Sequence, residues 1–189
     1  MNNRLSYGNK AKNLEYVAKN TDIEIPYFKE IYLNDLNNIE NIVDSFSQKI
    51  MIRSNSSSED KEYSSSAGKY LSIGPIETND LETIKKSWEM VVDSYEEQDN
   101  QSVIFQNYIE NAKSVSVLTS YKVGSDSAYR TFSTYYGSET DAITSGKYSE
   151  INNFFMHRSF DILPKKYEKY NVYLKIITQL EDLFKNKQL

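Results

Sequence analysis

An α+β fold in two lobes is predicted by three features of the sequence. Two segments of the first half, and one at the end, space their apolar residues at helical intervals. Short β-rich segments follow one another between about residues 102 and 158, as an antiparallel group requires. The polar stretch at residues 96–101 separates the two patterns, so the lobes are drawn at residues 1–97 and 98–189.

The elements follow in order. Residues 8–19 form a helix with Leu14, Val17 and Ala18 on one face. After a connector and Pro26, residues 27–33 alternate and contain aromatic and β-branched side chains, which reads as a strand. Asn34 caps a helix over residues 35–48 that turns Leu36, Ile39, Ile42, Val43 and Phe46 inward. Residues 49–53 are a short apolar strand ending in Arg53, and a serine-rich loop follows. Residues 69–73 make a further strand. Asn79 caps a second strong helix over 80–95, striped with Leu81, Ile84, Trp88, Val91 and Val92.

Past the boundary, residues 102–109, 113–122, 128–136 and 150–158 read as strands. The segment Val123-Gly124-Ser125-Asp126-Ser127 supplies turn chemistry between two of them. Residues 139–147 are a polar loop. Pro164 sets off a last helix reaching about residue 186, with Tyr170, Tyr173, Leu174, Ile177, Leu180 and Leu183 inward. There is no internal repeat.

Composition bounds the function classes. A chain of 189 residues buries about 70% of its unfolded surface and needs no covalent staple. It has no Cys, which removes disulfides, thiolate metal sites and Cys nucleophiles and fits a reducing, cytoplasmic compartment. The first residues contain no apolar run of the signal-peptide kind, and no stretch is long enough to span a membrane. The net charge is −5 with both signs interspersed, so the basic stripe that nucleic acid demands is missing.

Few residues carry chemistry at a telling place. Gly8-Asn9-Lys10 enters a helix, where free amides and a Lys can meet an anion, although Lys10 also reads as a surface lysine. Arg53 ends a buried strand, where its fork suits phosphate; pairing with Glu59 or Asp60 is the alternative. Seven of the thirteen residues from Ser54 to Ser66 are serine. With Gly68 permitting close backbone approach and Ser66 or Ser72 donating hydroxyls, the loop is either an anion cradle or slack linker. His157 is the only histidine, which rules out a multi-histidine metal site and favours a structural role over a catalytic one. Asp126, Glu139 and Asp141 lie in polar loops and read as solvated. Sixteen tyrosines leave open a carbohydrate-binding surface, to be recognised by Tyr129, Tyr135 and Tyr136 clustering on an open face.

Several of these segments together resemble one family. Gly8-Asn9-Lys10-Ala11-Lys12-Asn13-Leu14 with Ile25-Pro26 is similar to the opening of the ATP-binding domain of pyruvate, phosphate dikinases and phosphoenolpyruvate synthases. Ile52-Arg53-Ser54-Asn55-Ser56, Glu59-Asp60 and Ala67-Gly68-Lys69-Tyr70 resemble that family's Val-Arg-Ser-Ser, Glu-Asp and Ala-Gly-Gln motif. Trp88 and Val103-Ile104-Phe105-Gln106 fall where the family has a Trp and a Val-x-Val-Gln strand. Tyr135-Tyr136, the run Thr140 to Gly146, and Met156-His157-Arg158 look closer to the synthase-like kinases of glycan pathways, which include a glutamine kinase.

The resemblance implies a two-lobed ATP-grasp fold that binds ATP with Mg²⁺. It implies that Lys10 and Arg53 hold the phosphates as the catalytic cations. Gly68 and Ser72 would belong to a lid over them, and Gln106 would lie at the adenine side. It implies a phosphotransferase that passes phosphate from ATP through a histidine on a further domain to an acceptor. The Mg²⁺ carboxylates, the last strands of the second lobe, and the phosphohistidine and acceptor-substrate domains would lie beyond Leu189, leaving the 189 residues inactive alone. The sequence departs from the pattern at Asn9 and Ala11, which replace glycines, at Ser72, and along Ser114 to Thr119. These departures motivate the alternative of a degenerate, non-catalytic interaction or regulatory module of the same fold.

Overall fold

The computed structural model describes residues 9–55, 60–61, 64–65, 71–95, 102–120, 128–139, 142–143 and 150–184, with the backbone alone at 60–61 and 64–65. It is of mixed α+β class, and its chain contacts divide it into two units. The first contains residues 1–18 and 24–109, and the second contains 19–23 and 110–189. The boundary drawn at 97/98 therefore moves to 109/110. The reason is one strand: Ser102–Asn107 belongs to the sheet of the first unit.

Helix α1 (Lys10–Asn20), all but its last two residues in the first unit, precedes strand β1 (Phe28–Tyr32). Ala11 and Val17 are its buried residues, while Ala18 is exposed. The single helix expected over 35–48 is broken. A 3-10 turn, Leu33–Asn38, leads into a short α2 (Ile39–Val43). Asn and Asp side chains compete for backbone groups and weaken a helix here. Asp35, rather than Asn34, makes the entry bond, accepting the Tyr32 N–H at 2.8 Å. Past α2, Ser47 N–H donates to Asn107 Oδ1 at 2.8 Å and draws the chain back to the sheet.

Strand β2 (Lys49–Ser54) alternates strictly, with Ile50, Ile52 and Ser54 buried. Two short pieces, β3 (Asp60–Lys61) and β4 (Ser64–Ser65), pair within the serine-rich segment. The strand expected at 69–73 is β5 (Ser72–Glu77), and residues 69 and 70 lie outside the described residues. It carries Pro75, which an edge strand tolerates, and β5 is an edge: with β6 (Ser102–Asn107) the four-stranded sheet runs β1-β6-β2-β5, antiparallel throughout. Ser102 to Gln106 are all buried, as befits a central strand covered on both faces.

Helix α3 (Leu81–Asp93) packs across this sheet with the stripe read from the sequence, and Ser87 joins it. Its cap is Asp80 instead of Asn79. The Asp80 carboxylate accepts the Thr83 N–H at 3.0 Å, and hydrogen bonding from the Thr83 hydroxyl first, then from this N–H, holds its carboxyl below the ordinary range. A charge at this end also complements the helix dipole. Ile31, Ile50, Ile52, Ile84, Val91 and Phe105 are the centre of the core. Trp88, 2% exposed, is the only tryptophan, and its indole N–H is the one buried side-chain polar atom without a hydrogen-bond partner among the described residues. Its emission is expected to be blue-shifted and to move to the red when this unit unfolds in urea; a solvent-like spectrum in native buffer would contradict the packing.

In the second unit, β7 (Val115–Thr119), β8 (Tyr129–Tyr135) and β9 (Asn152–His157) form an antiparallel sheet in that order. Pro164 leads into a 3-10 turn, Lys165–Tyr170, and then α4 (Asn171–Phe184). Phe132, Met156, Leu163, Tyr170, Leu174 and Ile177 form the core, with Phe154 stacked on Tyr170 at 4.6 Å. Asp22 joins this unit through Lys175 Nζ at 2.7 Å and Gln179. Among the described residues no helix is long and apolar enough to cross a membrane.

Candidate functional site

The end of β2 gathers the residues singled out from the sequence. Alternation along the strand sends Ile52 and Ser54 to the α3 side and Arg53 to the other face. In register, Arg53 stands opposite Ser72 of β5 and Ile104 of β6. Gln106 lies two residues along β6 and so shares that face. Its Oε1 accepts from Arg53 Nη1 at 2.8 Å. Gln106 is 8% exposed, so the guanidinium is aimed by a fixed amide. Ser72 is exposed.

Lys10 arrives from another element. It is the first residue of α1, and its Nζ donates to Ser54 Oγ at 2.9 Å. Ser54 itself is fully buried. Arg53, Ser72 and Gln106 thus share one face at the end of β2, while Lys10 reaches the adjoining Ser54, whose side chain is turned to the other face. Gly68 lies outside the described residues.

Beneath Lys10 is a polar hub that sequence reasoning missed. Glu30 Oε1, on β1, accepts from Asn9 Nδ2 at 3.1 Å, Asn55 Nδ2 at 2.7 Å and Ser102 Oγ at 2.7 Å. Asn55, 2% exposed, accepts the Ala11 N–H on Oδ1 at 2.9 Å, and Asn9 Oδ1 accepts the Lys12 N–H at 3.1 Å. The Tyr95 hydroxyl accepts the Asn55 N–H at 2.9 Å and donates to the Ser102 carbonyl at 2.8 Å. Burial first, then a hydrogen bond to Glu30 and its charge, push the Tyr32 phenol up. The only local hint of the hub is a carboxylate inside the short strand Phe28-Lys29-Glu30-Ile31-Tyr32.

The remaining candidates do not join this site. His157 is half-buried on β9, its Nδ1 2.8 Å from Ser159 Oγ and its ring edge-on to Tyr129 at 5.3 Å, which fits the structural reading. Asp126 and Asp141 lie outside the described residues, and Glu139 is exposed. Tyr129 and Tyr135 stand at opposite ends of β8, about 20 Å apart at the rise of a strand, so the tyrosines do not cluster. A hollow of about 300 Å³ in the second unit, lined by Leu163, Lys165, Glu168 and Asn171, contains none of the site residues. No group of three or more His, Asp or Glu that could hold a metal occurs among the described residues.

The second unit has its own charge cluster. Arg130 donates from Nη2 to Glu181 Oε2 at 2.7 Å and from Nε to both carboxylate oxygens. Arg158 approaches Glu181 Oε1 at 3.3 Å, and Ser120 donates to the same oxygen. Arg130 Nη1 donates to the Phe160 carbonyl at 3.1 Å. Every partner is spoken for, which marks the cluster as structural.

Compared with known proteins, the chain matches no family profile, no curated protein and no solved structure.

Proposed function

We propose that the first unit is the phosphate-binding lobe of an ATP-grasp-like domain, taking ATP with Mg²⁺. One observation carries the reading: Arg53, steadied by Gln106, faces Ser72 in register, while Lys10 reaches the adjoining Ser54. Arg53 with a hydroxyl beside it on one face, and a second cation at the next residue of the strand, are the kinds of group a polyphosphate needs, namely charge neutralisation and fixed donors. Lys10 and Arg53 would hold the phosphates, Ser72 would donate from the adjoining strand, and Gln106 would orient the guanidinium. When bound, ATP supplies the phosphoryl group. In this reading the group passes to a histidine on another domain and then to an acceptor.

A second reading, a non-catalytic interaction module of the same fold, is favoured by the start of α1. There the Ala11 and Lys12 amides, natural donors to an anion, already bond to Asn55 and Asn9. Calorimetric titration with Mg-ATP separates the two. The first reading expects binding by the chain and a loss of about tenfold or more in Arg53→Ala, the worth of a charge-assisted pair. Equal affinity in that variant overturns the proposed site, and absence of binding by the folded wild type favours the module.

A further inference from the structure

We infer that Glu30 is the positioning residue for Lys10; its bearing on ligand affinity rests on the phosphate-binding reading above. Lys10 is bracketed by Asn9 and Ala11. The Asn9 side chain is held directly by Glu30 Oε1, and the Ala11 amide is held by Asn55, whose own Nδ2 donates to the same oxygen. Both neighbours of Lys10 are therefore tied to one atom on β1. Ser102, from β6, supplies a third bond to it and a partner for Asn55 at 3.0 Å.

The geometry fixes the first turn of α1 against the end of β2. That placement brings Lys10 Nζ within 2.9 Å of Ser54 Oγ, one residue from Arg53. A lysine has four rotatable bonds and three donors, so its reach is set by where its backbone is anchored. Asn9 and Ala11, the two departures from the glycine pattern, are consistent with this arrangement: the Asn9 side chain bonds both to Glu30 and to the Lys12 N–H. Three donors converging on Oε1 also explain how a half-buried carboxylate is kept in β1 beside a cation site.

The test uses the whole chain with Glu30→Ala, Glu30→Gln and Asn9→Ala, titrated with inorganic triphosphate and with Mg-ATP. Amide exchange at Ala11 and Lys12 is followed by NMR, and Trp88 emission confirms that the unit is folded. Glu30→Ala is expected to speed exchange at both amides and to weaken triphosphate binding about tenfold. Glu30→Gln keeps an acceptor oxygen and is expected to restore both readouts. Asn9→Ala, at the half-buried helix start, releases the Glu30 tether while leaving Asn55, the acceptor of the Ala11 N–H, in place, and is expected to speed exchange at Ala11 even if Glu30→Ala does not fold. Unchanged exchange at these amides in a folded Glu30→Ala, or at Ala11 in Asn9→Ala if Glu30→Ala does not fold, overturns the inference. So does native triphosphate affinity despite faster exchange. If the wild type binds no polyphosphate, the phosphate reading fails, while the exchange rates still decide whether Glu30 anchors the turn.

Discussion

Arg130→Ala is expected to destabilise the second unit by about 3–5 kcal/mol, the usual cost of removing one partner from a buried ion pair. The side chains of Arg130 and Glu181 are only 6% and 10% exposed. Deleting the guanidinium leaves the carboxylate with Arg158 at 3.3 Å and Ser120, and leaves the Phe160 carbonyl without its Arg130 donor. Arg130→Met keeps the apolar stem and removes the charge, so a similar loss in both variants assigns the effect to the pair and not to packing. Urea unfolding followed by far-UV circular dichroism measures it, and Trp88 emission reports the first unit separately.

The same cluster sets an acid limb. Burial pushes the Glu181 carboxyl up, but hydrogen bonds from Arg130 and Ser120, with the charges of Arg130 and Arg158, outweigh it and hold the carboxyl below its ordinary range. The Glu181 bond in turn holds Arg130 above its ordinary value. A carboxyl lowered by folding contributes stability above its unfolded pKa, and that stability is lost as the pH falls through the folded pKa. The second unit is therefore expected to weaken from about pH 4.3 downward, and Arg130→Ala to flatten that slope. Both variants within about 1 kcal/mol of wild type, the value of an exposed pair, would overturn the account.

What was legible in the sequence was what depends on near neighbours. The α3 stripe is set by a period of the chain itself, and the short apolar strand ending in Arg53 by its own composition, and both are found. The second helix breaks although Leu36, Ile39, Ile42 and Val43 keep helical spacing, because the Asn and Asp side chains between them compete for backbone groups. Sheet membership is a different kind of fact. Ser102–Asn107 reads as a strand from either side of a boundary, and only its pairing with β1 and β2 assigns it to the first unit.

The candidate site divides in the same way. Lys10 and Arg53 were noticed because a cation at the end of an element is locally odd. Ser72 was noticed as a hydroxyl closing the serine-rich loop, and Gln106 came only through the resemblance. Glu30 went unnoticed, and Asn55 was seen only as one letter of a motif, because their meaning lies in partners far along the chain: Asn55 bonds to residues 25 and 47 positions away. A lone carboxylate in a strand reads as a surface residue until three donors are found converging on it.

Gly74→Ala is expected to cost about 2–4 kcal/mol, because strain in the backbone and overpacking add at one position. Gly74 has φ +152°, a conformation that side chains rarely adopt. A Cβ there would stand 2.5 Å from Met51 Sδ, 2.9 Å from the Ile50 carbonyl oxygen and 3.1 Å from Met51 Cα. The sulfur belongs to a pliant side chain and can yield, but the other two atoms are backbone of the neighbouring strand. The β2–β5 register shifts at this point, between the Ile50–Ile76 and Ile52–Ile73 pairs. Met51→Ala combined with Gly74→Ala should therefore recover only part of the loss, and a double-mutant cycle on the Trp88 transition measures how much. Full recovery would assign the whole penalty to the sulfur and remove the backbone from the argument. The effect should also reach function: Ser72, two residues away, is the register partner of Arg53. A strand displaced at Gly74 shifts that hydroxyl relative to the guanidinium, so Gly74→Ala should weaken Mg-ATP binding at temperatures where the unit is still folded.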